Sequence, residues 1–392
     1  MSQSKVASVD SPAVAVARRM GDAVARWLGS LSEKQYERAL YPAPLETPEA
    51  ERDRLTWFYT PTDHGGVTLG ELTPRQQGLA MEVVSSGLSM EGYATVCAII
   101  GVENILDRVE AFTSTWGRER GRDPGAYYLR VFGDPRAGDK WAWRFGGHHI
   151  SLNNLIVRGE LRSTTPSFFG SDPAESPMVG GGSLRPLGGC EDIARELLNS
   201  LDDTQRGTAV LLDRAISDIV SGNRAWISDG DEMIHMQDLW NGQYQDPRFT
   251  ERIDLIDRDA EAASGYDEND HRLMALTRNP KGLAARNMTQ AQRAMLRALL
   301  ASYYRRAPSE LTTAEEDFYA EDINLDSVHF AWAGGGDRRD GHYYRVQGPR
   351  VLIEYDNTQR RGNHVHAVWR NPVTDFGLDV LYSHLDTFHR SK

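Results

Sequence analysis

Apolar residues recur at helical spacing from residue 14 to about residue 108. Ala15, Ala23, Trp27 and Leu28 suit one helix. Thr73-Pro74, a capping residue followed by proline, opens a second that carries Leu79, Met81 and Val83. A third runs through Tyr93, Val96, Ile99, Ile100 and Ile105. From Tyr127 to Val157 the period becomes two: Tyr127–Phe132, Trp141–Trp143 and a run from His149 to Val157 predict an antiparallel meander with Gly/Asp/Pro turns. Residues 162–189, with Pro166, Pro173, Pro177, Pro186 and Gly180-Gly181-Gly182, read as a long loop. A loop of that length in a compact chain is expected to cover a functional site.

Helical spacing returns from residue 191 to about 306, with 226–249 unassigned. A second strand zone follows at 328–332, 343–346, 351–356 and 364–369, and a final helix spans about 377–389. No repeat stands out. Antiparallel strands in two zones (about 127–158 and 326–370), segregated from the helices, predict an α+β fold instead of an alternating α/β one. The expected organisation is one large domain over 1–392, with 1–56 as an N-terminal helical extension and 57–389 as the core.

Nine Trp, 15 Tyr and 11 Phe supply ample core material and exclude a disordered chain. The 44 basic residues face 56 acidic ones, a net charge of −12, which argues against nucleic acid or an anionic membrane as partner. No apolar run approaches the ~18 residues of a membrane span, and the N-terminus lacks a signal-peptide pattern; a cytoplasmic protein with a small-molecule partner is expected. Two distant cysteines, Cys97 and Cys190, exclude a disulfide scaffold and a four-thiolate metal site. Cys97 lies in an apolar helical run and is expected in the core.

The chemistry concentrates in histidines. In the hairpin of strands 351–356 and 364–369, alternation puts Val351, Ile353 and Tyr355 on one face with Glu354 and Asp356 on the other. His364 and His366 share a face of the second strand, about 7 Å apart at Cα, where two imidazoles can chelate one metal ion. A turn centred near Arg360 would set Asp356 opposite His364 and Glu354 opposite His366, as further ligands, tautomer-fixing partners or a general base. The alternative is a solvated polar face with cross-strand His–Asp pairs. In Phe145-Gly-Gly-His148-His149-Ile-Ser-Leu-Asn153, strand parity groups His149 with Ser151 and Asn153, and His148 with apolar Ile150 and Leu152. His149 is therefore the better site candidate and His148 the better packed residue. His64, in Asp63-His64-Gly65-Gly66, is a further candidate or a turn stabiliser. His384 near the final apolar stripe reads as packed. Arg345 and Arg370 could bind a substrate carboxylate bidentately or form structural ion pairs. No Gly-x-Ser-x-Gly, His-Glu-x-x-His or Gly-x-Gly-x-x-Gly occurs, so serine-hydrolase, zincin and dinucleotide-binding readings lose their usual support.

Several spaced segments together resemble the bacterial domain-of-unknown-function family 3500. They are Trp57-Phe-Tyr-Thr-Pro-Thr-Asp-His-Gly-Gly66, Gly146-Gly-His-His-Ile-Ser-Leu-Asn153, Arg185-Pro-Leu-Gly188, Tyr344-Arg-Val-Gln-Gly-Pro349, Tyr355-Asp-Asn-Thr-Gln359 and Asn363-His-Val-His-Ala-Val-Trp-Arg370. The resemblance spans about Trp57 to His389; Asn371 departs from the Asp expected after the arginine. It implies no activity, but it groups the two histidine clusters in one pattern.

The resulting expectation is a metal-dependent enzyme acting on a small molecule. His364 and His366, with His149 or His148, would hold a divalent ion: zinc first, with iron, manganese or copper also open. Glu354 or Asp356 would activate a bound water for hydrolysis, while Arg345, Arg370, Asn153 and His64 would contact substrate. A non-haem iron or copper oxidoreductase and a non-catalytic small-molecule binding protein are the alternatives.

Overall fold

The computed structural model describes residues 11–240, 243–244, 246–265 and 267–381. Its strands are β1 (Leu40–Tyr41), β2 (Val67–Thr68), β3 (Tyr128–Phe132), β4 (Lys140–Gly147), β5 (Ile150–Val157), β6 (Glu160–Ser163), β7 (Ser167–Ser171), β8 (Ser176–Pro177), β9 (Ser183–Leu184), β10 (Val210–Leu212), β11 (Leu283–Ala284), β12 (His329–Gly334), β13 (His342–Gly348), β14 (Val351–Thr358) and β15 (His364–Arg370). Thirteen of them form one mixed sheet, and β8 pairs only with β9. Helices pack against this sheet, and the fold class is α+β as the segregated pattern predicts. No helix among the described residues is long and apolar enough to cross a membrane.

The predicted helices form at Pro12–Leu28, Pro74–Ser86 and Met90–Val109, each with a Ser or Thr side chain capping its first turn. On the last of these Val96, Ile99, Val102 and Leu106 make the buried stripe. Cys97 falls beside that stripe and is exposed, which corrects its assignment to the core. The end of the predicted final helix, with His384, lies outside the described residues.

The long loop expected over 162–189 is corrected most strongly. Its prolines flank a five-residue strand: β7 is buried throughout and pairs antiparallel with both β5 and β15. It joins the two strand zones into one sheet. The part after β7 is irregular apart from the β8–β9 pair, and there it lines a cavity of about 910 Å³ together with Arg338, Arg339 and Arg361.

The strand order β1-β3-β4-β5-β7-β15-β14-β13-β12-β10 reads as the same architecture from either end. Leu40 pairs in parallel with Val131 as Val210 does with Trp332, and Val67 pairs antiparallel with Leu129 as Leu283 does with Phe330. Helix Pro12–Leu28 packs on Pro74–Ser86 as Gly188–Asn199 packs on Gln290–Tyr304. Side chains repeat as well. The Gln76 amide donates to the Ser30 carbonyl at 2.8 Å and to Gln35, whose own amide donates to the Glu71 carbonyl. The Gln292 amide donates to the Ser200 carbonyl at 2.8 Å and to Gln205, whose own amide donates to the Asn287 carbonyl. The chain is thus an internal duplication, with the halves meeting where Phe169 of β7 faces Ala367 of β15. Sequence periodicity missed it because the retained residues are scattered cap and contact positions.

Each buried glutamine both caps a helix and ties it to the preceding one, so its loss strands several polar groups. Gln76→Ala and Gln292→Ala are each expected to cost about 2 kcal/mol in urea denaturation. A loss confined to one of them would break the equivalence of the halves.

Candidate metal centre

Two local geometries bring three histidines together. Gly147 pairs with Ile150, so His148 and His149 form the two-residue turn between β4 and β5 instead of starting a strand. His149 takes a left-handed backbone, φ +66°, and its ring swings back over β7. Its carbonyl accepts from the Gly170 amide at 2.8 Å. Gly170 faces His366 across the β7–β15 pair, and a Cβ there would sit 2.7 Å from the His149 ring. A glycine is required at this crossing. On β15, His364 and His366 project to the same side, and their rings lie 4.7 Å apart. His149 Nε2 and His364 Nε2 are 2.9 Å apart, and one ring nitrogen each of His149, His364 and His366 lies within 4.8 Å of the others.

These rings line a cavity of about 280 Å³ whose other walls include Tyr59, Trp116, Leu239, Trp240, Arg252 and Asp172. Burial, together with neighbouring cationic groups, holds His149 and His364 well below the ordinary histidine pKa. Neutral imidazoles are the form that ligates metals. For His366 burial also works against the charge, but Asp218, together with Asp356 and Asp172, outweighs it and raises the pKa. His366 Nδ1 donates to Asp218 Oδ1 at 2.7 Å, which leaves Nε2 for the cavity. Asp218 also accepts from the Tyr59 hydroxyl at 3.0 Å. Asp172, at the end of β7, sits 3.6 Å from His364 Nδ1; burial, against the opposing charges of Arg360 and Arg122, lifts it to about 6. Its Oδ1 has no hydrogen-bond partner.

The hairpin register differs from expectation by two residues. Asp356 faces His366, and Glu354 faces Val368. The connection Gln359–Gly362, with left-handed Arg360 and Arg361, centres the hairpin one residue later, near 361, and the resulting two-residue shift preserves which face each side chain occupies.

The carboxylates named from the sequence serve other ends. Glu354 accepts from the Val220 and Ser221 amides at 2.7 and 2.9 Å and from the Tyr343 hydroxyl at 2.6 Å. Its lone pairs are committed to holding the loop that carries Asp218, and it does not line the histidine cavity. Asp356 accepts from Thr358 at 2.6 Å and is pushed well above the carboxylate range by burial and by Asp218; it does not line the cavity.

The substrate-binding candidates are structural too. Arg345 donates to Tyr343 and to the carbonyls of Met274 and Ala275, in the manner of Arg144 on the other half, which reaches the carbonyls of Arg54 and Thr56. Arg370 is spent on Asp375 at 2.6 Å and on the Arg224 and Ala225 carbonyls. Asn153 accepts from Arg144 at 2.7 Å and donates to the Pro166 carbonyl. His64 is buried beside Tyr128, bonded to the Thr60 carbonyl at 2.9 Å and held neutral, down to about 3, chiefly by burial. His148 stacks on His149 at 3.7 Å and bonds Glu103 at 2.6 Å, backing the cluster while also reaching the cavity wall. Asp218, Asp172, Tyr59 and Gly170 escaped the sequence reading. Only Tyr59 and Gly170 carried a signal, as members of short aromatic and strand segments; the carboxylates lie in segments with no periodicity.

The other half carries Pro349-Arg350 where this one has His148-His149, so the duplicated fold builds the cluster once. No curated protein and no solved structure matches the chain. A family model described as "Protein of unknown function (DUF3500)" matches residues 13–378, and the chain belongs to that family.

Proposed function

We propose that the protein is a metal-dependent enzyme acting on a small molecule, with a divalent ion, zinc first, held by His149, His364 and His366. The observation that carries this reading is the convergence of three ring nitrogens within 4.8 Å of one another at a cavity wall. Nitrogens bound tetrahedrally to one zinc ion at about 2.1 Å lie about 3.4 Å apart, so the 2.9 Å between His149 and His364 needs only a small opening. Three histidines would leave a tetrahedral ion one open position, as in catalytic rather than structural sites. An ion there would polarise a substrate oxygen and lower the pKa of a bound water.

The chain's own groups divide the remaining work. Asp218 fixes the tautomer and direction of His366, and Tyr59 holds Asp218 in turn. Asp172 offers an unpartnered Oδ1 at the cavity wall and takes over the water-directing role first assigned to Glu354 and Asp356. Hydrolysis asks least of this set, since one ion, one water and one carboxylate suffice.

Elemental analysis of protein prepared without a histidine tag tests the reading. The expected result is about one ion per chain after exposure to zinc. His149→Ala, His364→Ala and His366→Ala should each lower it at least tenfold with the circular dichroism spectrum retained, while Ser151→Ala keeps it. Failure to take up zinc, iron, manganese or copper, or unchanged content in the histidine variants, would sink the proposal and leave a binding protein.

Two variants probe the supporting groups. Asp218→Asn should weaken metal affinity about 10–100-fold without removing a ligand. Gly170→Ala should also lower metal content, because its Cβ displaces the His149 ring; full occupancy in that variant would contradict the crossing geometry.

A further inference from the structure

Three arginines reach the histidine cavity, and they are not equivalent. Arg122 grips both oxygens of Glu110 at 2.8 and 2.9 Å. Arg360 bridges Glu110 at 2.9 Å and Asp172 at 3.0 Å. Arg252, half-buried on helix Pro247–Ser264, has no carboxylate partner among the described residues; its guanidinium lies 4.4 Å from the centre of the Trp116 ring. Trp116 is in turn stacked on Trp240 at 5.1 Å with the planes 18° apart, and both indoles are 5% exposed.

Lining carboxylates match the lining arginines in number, so a divalent ion would give the cavity an excess of positive charge. An aromatic wall with one guanidinium at its edge that lacks a carboxylate partner recognises a ligand with two parts: a flat ring and an anionic group. At about 280 Å³ the space is at the small end of ligand sites, enough for one ring with short substituents.

We propose that the substrate is a small aromatic anion, carboxylate or phosphate, with its charge paired to Arg252 and its ring against the Trp116–Trp240 wall. This deepens the metal-enzyme reading by naming the substrate class for the same cavity. It gives a role to an arginine that an acidic chain keeps over a buried indole without a carboxylate partner.

Isothermal titration calorimetry with benzoate, phenyl phosphate and neutral benzamide tests it, on metal-free and zinc-exposed protein. Benzoate or phenyl phosphate, or both, should bind at least tenfold more tightly than benzamide, and the stronger of the two identifies the anion. Arg252→Ala should remove that preference at least tenfold, Arg252→Lys should restore part of it, and neither should change metal content. Equal binding of the three probes, binding of none, or an unchanged preference in Arg252→Ala overturns the inference. Arg252-dependent binding to a protein that takes up no metal would uphold the ligand class and sink the enzyme reading, so the two failures are separable.

Discussion

The pairing of β7 with β15 is the contact on which the site depends. It places Gly170 opposite His366, and the bare glycine lets the His149 ring cross the strand towards His364. Without that pairing the β4–β5 turn and the β14–β15 hairpin would belong to separate sheets. A strand contributes its geometry through backbone hydrogen bonds that no side chain supplies, so a short, unremarkable segment can fix a ligand set. Asp172 follows directly on the same strand and brings a carboxylate to the cavity wall.

Duplication explains both the size of the sheet and the fate of several buried arginines. Arg144 and Arg345 occupy matching strands and satisfy backbone carbonyls in matching segments. Buried guanidiniums are tolerated where their nitrogens find acceptors, and each nitrogen of these two has one in the scaffold. One difference between the halves bears on the site. A His-His turn on one side and a Pro-Arg turn on the other give a symmetric fold an asymmetric centre.

Burial sets the electrostatics of that centre. Crowding three rings in a dry wall disfavours their protonation, while Asp218 singles out His366 as the one imidazole whose charged form is supported. Glu354 contributes at a distance: by taking the Val220 and Ser221 amides it pins the loop from which Asp218 reaches His366. A side chain that looked catalytic in the sequence thus holds a loop in place, and the carboxylate on that loop came from a segment with no pattern to mark it.

Local periodicity determined the α+β class, the early helices, both strand zones and the shared face of His364 and His366, because alternation and helical spacing are properties of neighbouring residues. It also singled out His149, although for the wrong reason, since the ring is aimed by a left-handed turn and not by strand parity. Tertiary structure decided the rest. Asp218 lies almost 150 positions from His366 in the chain, and Asp172 almost 200 from His364, so nothing local could pair them. The hairpin register turned on the conformation of Arg360 and Arg361, and β7 became a central strand only because two edges flanked it. Side-chain direction is written in the nearest few residues, whereas partners are chosen by which distant surfaces the folded sheet brings together.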